Sequence, residues 1–120
     1  MKNIHDLIKK SERIVVLFDI DTDGVTSAKI ISESLKRLNC AASEFHPATP
    51  HLLNNPDFIL GIKRSEADLI IIADVELRNN SLFLKKNKHI PIVVFDHHSI
   101  NFLPKPRCCQ NLSHFSQIFN

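Results

Sequence analysis

Three apolar runs of strand length punctuate this chain, and none of them alternates with polar residues. RIVVLF (residues 13–18), LIIIA (69–73) and IPIVVF (90–95) read as strands buried on both faces. Strands of that kind need a covering layer on each side, and the intervening segments supply it with helical spacing. A short helix with apolar residues at 4, 7 and 8 leads into the first strand. Residues 25–38 repeat apolar side chains at 25, 28, 30/31, 35 and 38, an amphipathic helix that ends at Asn39. Residues 42–46 form a brief second strand up to Pro47. Asn55 with Pro56 marks the cap and first residue of a helix running to about residue 63. A further helix is capped by Asn80 and reaches about Lys88, where its cations suit a C-terminus. Strands alternating with helices at these intervals predict an α/β fold, a mostly parallel open sheet flanked by helices.

The chain has 120 residues, of which 43% are hydrophobic, enough for one domain with a modest core. Residues 1–98 carry the strand and helix pattern. Residues 99–120, with two prolines and no Asp or Glu, read as a tail, an edge element or a partner-binding segment. Phe102, Phe115 and Phe119 in that stretch are candidates for a contact surface or for packing on the sheet edge. A net charge of +2 argues neither for nor against a nucleic-acid partner. No apolar stretch is long enough for a bilayer, and the first residues lack the apolar core of a secretory signal. The three cysteines, Cys40, Cys108 and Cys109, make no disulfide framework, and adjacent thiols do not fit the usual zinc spacing. A cytoplasmic protein is the expectation.

Acidic groups stand where the three apolar runs stop. Asp19, Asp21 and Asp23 follow the first, Asp74 follows the second, and Asp96, His97 and His98 follow the third. In a parallel sheet these three ends share one rim, and ligands of open sheets bind beyond the carboxyl ends of the strands. Carboxylates crowded there repel one another unless a cation lies among them. A solvated acidic loop, with Asp23 near the positive end of the following helix, is the plainer account of any single one of the triplet. Asp19, Asp21 and Asp23 alternate by two, so an extended segment would turn them the same way until Gly24 bends the chain. Oxygen donors with an imidazole suit Mn²⁺ or Mg²⁺. Two such ions favour hydrolysis of a phosphoester. The chain has only two glycines and no phosphate loop, and no Ser or Cys has an evident base.

FDIDTDGVTSA, LIIIADVE and PIVVFDHHS together resemble the motifs of the DHH phosphoesterase family, in its RecJ-type branch of single-strand-specific exonucleases. Order, spacing and strand context agree over residues 13–98, and the resemblance implies a truncated DHH domain. It implies Asp19, Asp21, Asp23, Asp74 and His97 as ligands of two ions, with Asp74 bridging them. Asp96 would support the histidines, and His98 would contact the scissile phosphate. Lys105 and Arg107 become candidates for contacts with single-stranded DNA or RNA, whereas Lys29, Lys36 and Arg37 read as a solvated helix face. Val75-Glu76 departs from the Cys-Gly of many bacterial nucleases. A fourth-motif Asp and a substrate-gripping domain, usual in the family, do not follow Asp96 in this sequence. The resemblance therefore implies an exonuclease completed by a partner chain or a missing portion. A non-catalytic subunit of DNA replication or repair, and a hydrolase of short oligonucleotides or cyclic dinucleotides, are the alternatives.

Overall fold

The computed structural model describes residues 4–75 and 82–95, together with the backbone of residues 109–112. Five strands form one sheet: β1 (Ile14–Phe18), β2 (Glu44–Pro47), β3 (Leu69–Ala73), β4 (Ile92–Phe95) and β5 (Cys109–Leu112). Their spatial order is β2-β1-β3-β4-β5, and every pairing is parallel. Around them lie α1 (Ile4–Lys10), α2 (Thr22–Arg37), α3 (Pro56–Arg64) and α4 (Leu82–Lys86), with a 3-10 turn at Leu52–Asn54. The α/β architecture expected from the apolar runs is present. None of the described helices is long and apolar enough to cross a membrane.

The order of strands dictates which helix covers which face. Parallel crossovers are right-handed, so a connection that moves one way along the sheet lies on one face and the reverse move lies on the other. The chain steps outward from β1 to β2 through α2, then reverses past β1 to β3 through α3 and onward to β4 through α4. Accordingly two separate apolar layers form. Ile14, Val16, Leu69, Ile71, Ala73, Val93 and Phe95 pack with Ile8 of α1 and with Ile31 and Leu35 of α2. Val15, Leu17, Ile70, Ile72, Ile92 and Val94 pack with Ile59 and Ile62 of α3 and with Phe83 and Leu84 of α4. The period-two split of each strand between these layers explains why β1, β3 and β4 contain no polar residues.

Local chemistry fixes the helix ends. Asn55 accepts from the backbone N–H of Asp57 (2.9 Å) and Phe58 (3.2 Å), with Pro56 at the first helical position as the sequence predicts. At the end of α2, Asn39 takes a left-handed φ of 59°. The N–H groups of Asn39 and Cys40 return to the carbonyls of Lys36 and Leu35, a Schellman termination. Lys9 Nζ donates to the Leu38 carbonyl at 2.7 Å and ties α1 to that end. The N-terminus of α4 is capped from outside its own segment, since Leu82 N–H donates to Asn54 Oδ1 at 2.9 Å. The cap expected at Asn80 lies outside the described residues.

One difference from the sequence reading concerns α2. The helix starts at Thr22, three residues before the predicted start. Its buried face is Gly24, Ser27, Ala28, Ile31, Ser34 and Leu35, whereas Val25 and Ile30 are exposed. Hydrophobic periodicity alone cannot count glycine and serine as interior residues, so the expected stripe is misplaced at its beginning. Residues 109–112 form an edge strand beside β4, although their sequence has no apolar run. Ile71 lies on the central strand with no exposed surface. Ile71→Ala should lower the unfolding free energy by about 2–5 kcal/mol in urea titration, while Ile30→Ala on the exposed face should stay within about 0.5 kcal/mol.

Candidate metal centre

The register of the sheet sets three strand ends level. Phe18 pairs with Ala73, and Ala73 pairs with Phe95. The residue that follows each of them is an aspartate: Asp19, Asp74 and Asp96. Backbone bonds carry the alignment one residue further, from Asp19 N–H to the Ala73 carbonyl (3.4 Å) and from Asp74 N–H to the Phe95 carbonyl (2.7 Å). Strand order reverses between β1 and β3, which is where doubly wound sheets open a crevice beyond their carboxyl ends. Asp19 and Asp74 are the first residues on the two sides of that crevice. Asp96, His97 and His98 lie outside the described residues, as do Lys105 and Arg107.

Asp74 differs from the other acids. Its φ is +58°, in the left-handed region, and it is 4% exposed. Aspartate tolerates that region better than most residues, yet a non-glycine there still costs free energy and is concentrated at functional sites. Val75 follows it directly into the core with no exposed surface. The chain therefore turns sharply at Asp74, between the buried end of β3 and a buried valine.

The acidic triplet is not one extended ladder. Asp19 is half-buried, and its Oδ1 accepts from Ile20 N–H at 2.8 Å. Asp21 is the N-cap of α2, and its Oδ1 accepts from Gly24 N–H at 2.8 Å. Asp23 lies exposed in the first turn of the helix, where the positive end of the dipole favours a carboxylate. The helix starts before Gly24, so the same-side alternation expected of an extended segment ends at Asp21, the residue that caps, and Asp23 lies near the positive helix end. Among the described residues no three His, Cys, Asp or Glu side chains are grouped closely enough to hold one ion. Asp19 and Asp21 each turn one oxygen onto a backbone donor.

Gly24 holds the loop and the helix together. A Cβ built on it would lie 2.0 Å from the Asp19 carbonyl oxygen and 2.6 Å from its carbon, both fixed backbone atoms. The first turn of α2 therefore rests directly on the backbone of Asp19. The sequence marked Gly24 as a turn residue, but the close approach could be seen only once the helix start was known. The same is true of Ile20 and Val25, which fall at the positions before the cap and four into the helix. Gly24→Ala must push α2 away from Asp19. It should cost more than the roughly 1 kcal/mol that alanine normally returns to a helix interior, measured by thermal unfolding against Gly61→Ala, whose Cβ would meet nothing within 4 Å.

Residues 13–116 match the family model described as DHH family, N-terminal domain. Among solved structures, RecJ in complex with Mn²⁺ from Thermus thermophilus superposes with a TM-score of 0.64 at 21% identity, over 88% of this chain and 15% of that one. An exonuclease RecJ bound to manganese gives a TM-score of 0.64 at 24% identity, over 88% of this chain and 28% of that one. This chain thus spans well under a third of the length of either, and the likeness is one of fold. No curated protein matches the sequence. With the family model covering both aspartate-bearing strand ends described above and the Asp96-His97-His98 triplet, the chain belongs to the DHH family.

Proposed function

We propose that this chain holds two divalent cations, Mn²⁺ or Mg²⁺, through Asp19, Asp21, Asp23, Asp74 and His97, and serves hydrolysis of phosphodiester bonds in single-stranded DNA or RNA. The single observation that carries the reading is Asp74, a buried carboxylate in a left-handed conformation at the crevice of the sheet. Folding spends stability on that conformation, and ligation gives it a purpose. Membership of a phosphoesterase family and the fold shared with two manganese-bound RecJ structures support the same reading.

The donor set fits the ions. Every described donor is a carboxylate oxygen, the hard ligand that Mg²⁺ and Mn²⁺ prefer. Asp19 and Asp21 each commit one oxygen to a backbone N–H, which leaves the second oxygen of each for a cation. When bound, the ions would supply acidified water and neutralise phosphoryl charge. Within this chain, Asp74 would be the ligand shared by both ions, Asp96 would orient the neighbouring imidazoles, and His98 would contact the phosphate. Lys105 and Arg107 meet the backbone of the strand. The catalytic form includes protein beyond this fold, a companion chain or further segment that adds an acidic ligand and grips the substrate.

Conservative variants separate ligation from folding. Asp21→Asn retains the cap, because Asn and Asp are equivalent there. Asp74→Gly accepts φ of +58° with less strain than any other residue. Both should keep the unfolding transition near that of the parent, yet lose Mn²⁺ affinity by at least about tenfold in titrations followed by electron paramagnetic resonance. Mn²⁺ bound at parental strength by Asp74→Gly would sink the metal assignment. The protein purified with its associated chains should release mononucleotides from labelled single strands only with Mn²⁺ or Mg²⁺, and Asp74→Asn should abolish that release. A stable assembly that cuts nothing, and persists in Asp74→Ala, points instead to a replication or repair subunit.

A further inference from the structure

Two large apolar side chains stand open to solvent at the rim that carries the acids. Ile20, between Asp19 and Asp21, is 65% exposed, and Val25 in the first turn of α2 is 52% exposed. With Asp21 as the cap, Ile20 is the residue before the cap and Val25 the fourth of the helix. These are the positions that a hydrophobic staple brings together. A staple would pair these positions, but it does not account for the area both leave uncovered. Among the described residues only five large hydrophobics are exposed, and these two adjoin the candidate metal ligands.

We propose that Ile20 and Val25 form an apolar shelf that receives the base of the nucleotide whose phosphate sits at the acidic crevice. The inference rests on the phosphodiester reading above and adds which part of the substrate meets which side chains. Ile20 Cα is one peptide unit, about 3.8 Å, from the Cα of both Asp19 and Asp21. A phosphate held by those two carboxylates through cations is covalently tied to a nucleoside, which must lie over or beside the same loop. Phosphate and sugar are hydrophilic and find their partners among charges. The flat face of the base is the one part that gains from covering aliphatic surface, and every base has such a face. The contact is therefore blind to sequence.

The chain contains no Trp and no Tyr, so one introduced tryptophan is the only strong fluorophore. Ile20→Trp is placed at an exposed position, and Val25→Trp serves as a second reporter should the first fail to fold. The probes are Mn²⁺ alone, then a phosphorothioate oligothymidylate that resists cleavage, then the same backbone without bases. Mn²⁺ should quench the emission by proximity, and Asp74→Asn in the same background should relieve the quenching. Oligothymidylate should quench further and the abasic strand should not. In the parent background, Ile20→Ala should weaken oligothymidylate binding by about three- to tenfold, as expected for uncovering part of an aliphatic side chain, and leave abasic binding unchanged. Quenching by Mn²⁺ with no response to oligothymidylate, or equal responses to both strands, overturns the shelf and leaves the metal reading standing. No response to Mn²⁺ from either reporter removes the metal reading, and the shelf falls with it.

Discussion

The level ends of β1, β3 and β4 are the constraint on which the rest of this molecule depends. A row of register joins Phe18, Ala73 and Phe95, and the next residue on each strand is aspartate. Register in a sheet buried on both faces is strongly specified. A slip of one residue would send Val15, Leu17, Ile70 and Ile72 to the opposite layer and exchange the surfaces offered to α2 and α3. The two apolar layers thus determine the height at which charge appears on the rim. The stabilising burial and the placement of the acids are the same fact seen from two ends of the strands.

Rim and core differ in how they are held. Asp74 belongs to the core side: its N–H bonds to β4, and buried residues flank it. Asp21 and Asp23 belong to the first turn of α2, which is positioned by one short-range device, the seating of Gly24 on the Asp19 backbone. Glycine is required there for space rather than for an unusual backbone angle. Moving that turn shifts Asp21 and Asp23 together and leaves Asp74 where the sheet puts it. Geometry at the site therefore depends on one close backbone contact.

Much of this was legible in the sequence because the signals were local or strongly periodic. LIIIA became β3 residue for residue, Asn55-Pro56 opened α3, and Asn39 ended α2. What was not legible depended on tertiary neighbours. Three aspartates at alternate positions are all good caps, and only the approach of the helix to the sheet selects Asp21. Glycine and serine look polar or neutral to a hydrophobicity pattern, yet in α2 they make the face that lies on the sheet. The cap that Asn54 gives to α4 spans 28 residues of sequence. CQNL becomes a strand through pairing with β4, without an apolar run of its own. At the site, the apolar runs put Asp19 and Asp74 at the ends of strands that the register then makes neighbours. The sequence carried no sign that Asp74 would turn left-handed, beyond the tolerance of aspartate for that turn.

Capping a helix and holding a cation are often treated as competing uses of one carboxylate, but the capping geometry of Asp21 leaves room for both. An ionised carboxylate has two oxygens and about four acceptor sites. The Gly24 N–H engages Oδ1 and fixes the side-chain torsions, leaving Oδ2 in a defined position. Ordering the side chain in advance lowers the entropy lost when an ion arrives. The same positive helix end that favours Asp21 and Asp23 as anions also opposes a cation. In the proposed site, affinity would have to come from the carboxylates that do not sit on the helix, Asp19 and Asp74 among the described residues. The acids of the rim are accordingly held in two ways: α2 positions Asp21 and Asp23, and the sheet buries Asp74.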